Sequence, residues 1–138
     1  MFEKFNGIIF FIIFIIHFGA YAFYSFRCLI GTKAFVEQYG MGDGSAIMTR
    51  FFGSIFVGSV LMAIYIAFVR SGGLENTWAF FNLIFLQNAC AFIFAIWSHR
   101  KGNLGVNERT SIEGIIAPGV LTLLSAILCY GLADKIYS

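Results

Sequence analysis

Residues 7–26 read GIIFFIIFIIHFGAYAFYSF, an apolar run broken by one histidine, His17. A helix that crosses a hydrocarbon core needs about 20 such residues, and this stretch supplies them. Continuous apolarity, without the period-2 alternation of an outer-membrane strand, makes it a transmembrane helix. Lys4 and Arg27 bound it. The GAYA before Phe23 has the small-x-small look of a signal cleavage site, but with Met1 present the segment reads as an uncleaved first helix.

Three more runs of the same kind follow at about 46–69, 78–98 and 112–133. The expected fold is therefore all-α, one domain over 1–138, an integral membrane bundle of four transmembrane helices joined by short loops. Composition agrees, with 59% hydrophobic and 12% charged residues and a mean hydropathy of +0.84, against roughly 25% charged in a soluble domain. A net charge of +2 is too small to argue for nucleic acid. The two odd connections and adjoining helix ends carry Arg27, Lys33, Arg50, Arg100, Lys101 and Arg109, whereas the other side carries Lys4, Arg70 and Lys135. That bias places the odd loops in the cytoplasm and both termini outside, in a bacterial inner membrane or its equivalent. The connections 31–45 and 100–111 read as glycine-turn and polar loops.

Alternating helix direction puts His17 at the depth of Gly58 and Ser59, of Gln87 and Asn88, and of Thr122 to Ser125. An unpaired polar group in hydrocarbon costs several kcal/mol, so His17 is expected to bond Gln87, Asn88 or a second-helix serine. That layer reads either as interhelical glue or as a ligand-binding site. Near the cytoplasmic interface Arg50, Arg100 and Glu113 form a charge cluster, with an Arg50–Glu113 pair as the natural match. The bland alternative is arginines snorkelling to phosphates. Small residues at Gly53, Gly58 and Gly119 mark expected packing faces, with the Gly58 face of the second helix against the Gly119 face of the fourth. Pro118 removes one backbone bond near Gly114.

Other chemistry is not encoded in a recognisable spacing. His99 lies roughly 15 Å from the mid-plane at 1.5 Å per residue, too far to join His17 on a metal or haem. Cys28, Cys90 and Cys129 lack metal spacing and read as small buried apolar residues. GMGDG at 40–44 has no following lysine and reads as a turn. No catalytic residues, metal ligands or cofactor are assigned.

The helix around TRFFGSIFVGSVLMAIYIAFVR (49–70) resembles, through Arg50, Gly53 and Gly58, the second helix of small four-helix DoxX-like and DUF4345-like membrane proteins. The resemblance covers about the first 100 residues and implies fold more than activity. Two functions are then open. One is a non-catalytic membrane subunit, packing by its Phe-rich surface against lipids, isoprenoids or pigments and against other membrane subunits or further copies of itself. The other is a binder or carrier of a lipophilic small molecule using the layer of His17, Gln87 and Asn88.

Overall fold

In the computed structural model, which describes residues 2–102 and 105–138, every regular element is helical. We number the helices α1 (Ile8–Leu29), α2 (Thr32–Gln38), α3 (Ala46–Ile64), α4 (Trp78–Lys101), α5 (Glu113–Gly131) and α6 (Ala133–Ile136). Helix α3 continues into a wider π turn over Tyr65–Val69. Four of these, α1, α3 with its extension, α4 and α5, are long and apolar enough to cross a membrane. The chain is thus an all-α bundle with four membrane-spanning helices.

The connection at 31–45 departs from the expected loop, because Thr32–Gln38 forms a short helix. Glycines at 31, 40, 42 and 44 bracket that segment without entering it, and a Lys33–Glu37 pair spaced i, i+4 supports its exposed face. Val36 buries its side chain beneath it. At the following turn Gly40 adopts φ +63°, with Asn107 so close that a Cβ would meet its side chain at 2.6 Å. Asn107 Nδ2 donates to the Gly40 carbonyl at 2.9 Å, tying the two odd connections together.

The bundle packs unevenly. Helix α3 lies on α1, α4 lies on α5, and α1 joins the two pairs through α5, while α3 and α4 scarcely touch. The end holding the termini and the α3–α4 connection is sealed: Phe5, Leu74, Leu132 and Ile136 are fully or almost fully buried. Asn6 Nδ2 donates to the Gly131 carbonyl at 2.9 Å and also to Asp134. The Asn76 N–H donates to the Ser138 carbonyl at 3.1 Å. Phe14, Phe81, Ile84, Ala63, Ile66 and Leu128 build the apolar core between that plug and mid-depth. The other half of the bundle, beneath α2, is open on the side where α3 and α4 part.

The packing glycines need correction. A Cβ on Gly53 would lie 2.8 Å from Cys28 Cβ, so this glycine lets α3 approach α1. A Cβ on Gly119 would lie 2.9 Å from the Phe92 ring, so this glycine faces α4 and not α3. Gly58 faces open space, so the expected Gly58–Gly119 seam does not exist within one chain. The tightest site is Gly131, whose Cβ would fall 2.0 Å from the Phe10 ring. Gly131→Val is accordingly expected to lower stability by about 1–3 kcal/mol, the usual cost of overpacking, whereas Gly58→Leu leaves the monomer unchanged. Thermal midpoints in mild detergent distinguish the two.

A candidate ligand site in a lateral cleft

Between the two helix pairs lies a cleft of about 580 Å³, inside the 300–1,000 Å³ range of small-molecule sites. Its walls follow helical spacing. On α5, Gly114, Ala117, Pro118 and Leu121 recur at i, i+3, i+4 and i+7. On α4, Gln87, Cys90 and Ala91 do the same. Five of these seven, all but Leu121 and Gln87, are small, so the α4–α5 pair leaves volume in front of it, toward α3, that larger side chains would fill. Phe52, Ile55 and Phe56 of α3 form the facing wall, and Phe35 and Tyr39 roof the opening at α2. The eight steps from Glu113 to Leu121 span about 12 Å at 1.5 Å per residue, taking the cleft from the interface toward the middle of a core about 30 Å thick.

The inner end is a polar layer held by α1, α4 and α5. His17 is fully buried. Asn88 Nδ2 lies 3.1 Å from His17 Nε2, and also approaches the Leu121 carbonyl and Ser125 Oγ at 3.4 Å. The amide oxygen accepts from the Tyr21 hydroxyl at 2.8 Å. Asn88 Nδ2 is placed to donate to Nε2, and the other ring nitrogen, Nδ1, has no hydrogen-bond partner among the described residues. The ring is stacked on Tyr21 at 5.1 Å and meets Phe18 edge-on at 4.8 Å. Phe56 closes over Tyr21 at 5.1 Å. One turn of α1 further on stands Tyr24, so that His17, Tyr21 and Tyr24 form a stripe at i, i+4 and i+7 along the face turned to the bundle.

Of the residues expected beside His17, Asn88 is there and the others are not. Gln87 is exposed on the cleft wall, since neighbouring residues on a helix diverge by about 100°. No described residue hydrogen-bonds its side-chain amide. Ser59 donates back to the Ile55 carbonyl of its own helix at 3.3 Å, and the serine that joins the layer is Ser125 of α5, which was also expected at this depth.

The outer end is charged and saturated. Glu113 pairs with Arg27 at 2.5 Å, not with Arg50 as expected. The reason is azimuth: Arg27 sits one turn above Tyr24 on the bundle face, while Arg50 points along α2, its Nε donating to Thr32 Oγ1 at 3.2 Å. Arg100 is exposed at the end of α4 and makes no ion pair among the described residues. Glu113 also accepts from Tyr24 at 2.5 Å and from Gln38 Nε2 at 2.6 Å, and Arg27 donates a second time to the Gln38 oxygen. The guanidinium lies 5.2 Å from the Phe35 ring centroid, a cation–π contact that anchors α2 to α1. At this opening burial, reinforced by the Glu113 carboxylate and opposed by Arg27, pushes the Tyr39 phenol up to about 12. Tyr39 thus remains a neutral donor at physiological pH.

The cysteines separate by environment: Cys28 is buried against α3, while Cys90 is exposed on the cleft wall and Cys129 is half-buried. Cys90 therefore departs from the expectation of burial, for the same reason as its neighbours Gln87 and Ala91: that face of α4 borders the cleft, with α3 standing away across it.

If His17 is structural glue, His17→Leu is expected to lower the thermal midpoint by the equivalent of about 0.6–2 kcal/mol. His17→Gln should lose less, because an amide can still accept from Asn88. No family model, curated protein or solved structure matches the chain.

Proposed function

We propose that this chain is an integral membrane protein that binds a lipophilic small molecule in the cleft between α3 and the α4–α5 pair. The observation that carries this reading is the combination of volume and wall: about 580 Å³, bounded by aromatic and small apolar side chains and reachable sideways from the lipid phase. The sealed lower half, with Phe5, Leu132 and Ile136 as its plug, argues for a site entered from one end and one side, and against a continuous pore.

The experiment is native mass spectrometry of the protein extracted from its own membrane in mild detergent. The expected result is a discrete lipophilic mass retained by the wild type and lost in Ala117→Trp, which fills the cleft. Retention by both proteins alike would refute the reading.

A second reading, a non-catalytic subunit of a larger membrane assembly, is favoured by Gly58, exposed on α3 with open space before it, and by its exposed neighbour Ser54. On that reading Gly58→Leu shifts the particle to smaller species on a native gel while the monomer stays folded. An unshifted gel removes the support of that face. The odd connections lie in the cytoplasm on the charge bias, so Lys33→Cys and Glu108→Cys should label from the cytoplasmic side and Ser71→Cys from the other.

A further inference from the structure

We propose, resting on the cleft reading above, that the occupant is an uncharged lipophile bearing a hydroxyl or carbonyl, seated with that polar group inward at Gln87. The two ends of the cleft differ in what they leave unsatisfied. At the interface Glu113 already holds Arg27, Tyr24 and Gln38. The carboxylate and guanidinium neutralise each other, leaving no net charge to recruit an ionic headgroup. At the inner end the Gln87 amide lines the cleft with no hydrogen-bond partner among the described residues, although it stands at membrane mid-depth, one residue from the paired and buried Asn88.

A side-chain amide without partners in hydrocarbon is costly, and an amide offers both a donor and an acceptor. The Tyr21 hydroxyl, which lines the cleft from α1, donates its proton to Asn88 and keeps acceptor capacity. A hydroxyl or carbonyl on the ligand would satisfy Gln87 without bringing a charge into a region whose charged groups are all at the far end. The apolar body would then run outward past Phe56, Ala117 and Phe52 toward the opening.

The probes are hexadecanol, hexadecane and hexadecylphosphocholine, each titrated into phosphatidylcholine nanodiscs holding the full chain, with the thermal midpoint as readout. Wild type is expected to half-saturate with hexadecanol at a mole fraction about tenfold below hexadecane, the equivalent of 1.4 kcal/mol. Gln87→Leu and Gln87→Met should both erase that preference while hexadecane still binds. Gln87 is exposed, so neither variant disturbs the packed core. The inward seating is overturned if both variants keep the tenfold preference. It is equally overturned if hexadecylphosphocholine binds as well as hexadecanol and loses binding in Glu113→Gln, since the head then points outward. Either result leaves the cleft itself as a binding site. Wild-type binding of both hexadecanol and hexadecane by Ala117→Trp would instead remove the cleft reading together with this one.

Discussion

Asn88→Leu is expected to destabilise the bundle by about 2–3 kcal/mol, the upper part of the range for leaving buried hydrogen-bonding groups unpaired. The amide is the hub of the polar layer. Its loss strips the Tyr21 hydroxyl of its acceptor at 2.8 Å and His17 Nε2 of its donor at 3.1 Å. Each group is then left in hydrocarbon with no water to replace the bond. Asn88→Asp restores an acceptor for Tyr21 but opposes His17 Nε2 with an oxygen, forcing the imidazole to move its proton to Nε2. The expected order of thermal midpoints in mild detergent is wild type, then Asn88→Asp, then Asn88→Leu. A leucine variant as stable as the wild type would show that the layer contributes nothing to holding α1, α4 and α5 together.

The second large effect is at the interface. Arg27→Leu leaves the Glu113 carboxylate without its cation. A fully buried pair broken in this way costs about 3–5 kcal/mol. The side chains here are 18% and 30% exposed, so solvent and headgroups offset part of the loss, and about 2–3 kcal/mol is expected. The same substitution removes the donor to Gln38 and the cation over Phe35, so α2 should detach from α1 as well. Faster proteolysis near Tyr39 would report that detachment separately from global unfolding. Arg27→Leu combined with Glu113→Gln should recover much of the stability, because no uncompensated charge remains. Recovery that does not occur would assign the cost to the aromatic and Gln38 contacts alone. Arg50→Leu, which loses one hydrogen bond to Thr32, is expected to be mild.

These two sites show what the sequence could and could not convey. Depth was legible. Four apolar runs of sufficient length fix the number of spans, and counting inward from their ends put His17 and Asn88 in one layer, where they meet. Azimuth was not. Gln87 and Asn88 share a depth but point about 100° apart, one to the cleft wall and one to His17. Arg27 and Arg50 likewise reach the same level, and only the packing of α1 on α5 decides that Glu113 takes Arg27. A signal for the correct face was present in the i, i+4, i+7 stripe of His17, Tyr21 and Tyr24, which Arg27 continues one turn higher.

Small residues were ambiguous for a related reason. Gly53, Gly119 and Gly131 let side chains or helices close in, as small residues in membrane helices are expected to do. Ala117 and Ala91 are also small and do the opposite, leaving a space where the partner helix stands away, while Gly114 admits the Tyr39 ring, which a Cβ would meet at 3.2 Å. Which outcome a small residue produces depends on whether another helix lies opposite, and that is a property of the whole bundle. The short α2 was obscured by its glycine-rich flanks, though Phe35 and Tyr39 at i, i+4 supply the pair of rings, 4.6 Å apart, that roofs the cleft.

That the cleft holds a specific molecule, and is not merely wetted by bulk lipid, can be tested with two adjacent phenylalanines. Both are about half exposed, but Phe52 lines the cleft and Phe51 does not. Benzoylphenylalanine placed at each position and irradiated in the native membrane would sample the two environments, read by mass spectrometry of the intact protein. The account predicts one discrete lipophilic adduct at position 52, suppressed by Ala117→Trp, and a spread of ordinary membrane lipids at position 51. The same spread of lipids at both positions, unaffected by Ala117→Trp, would contradict it.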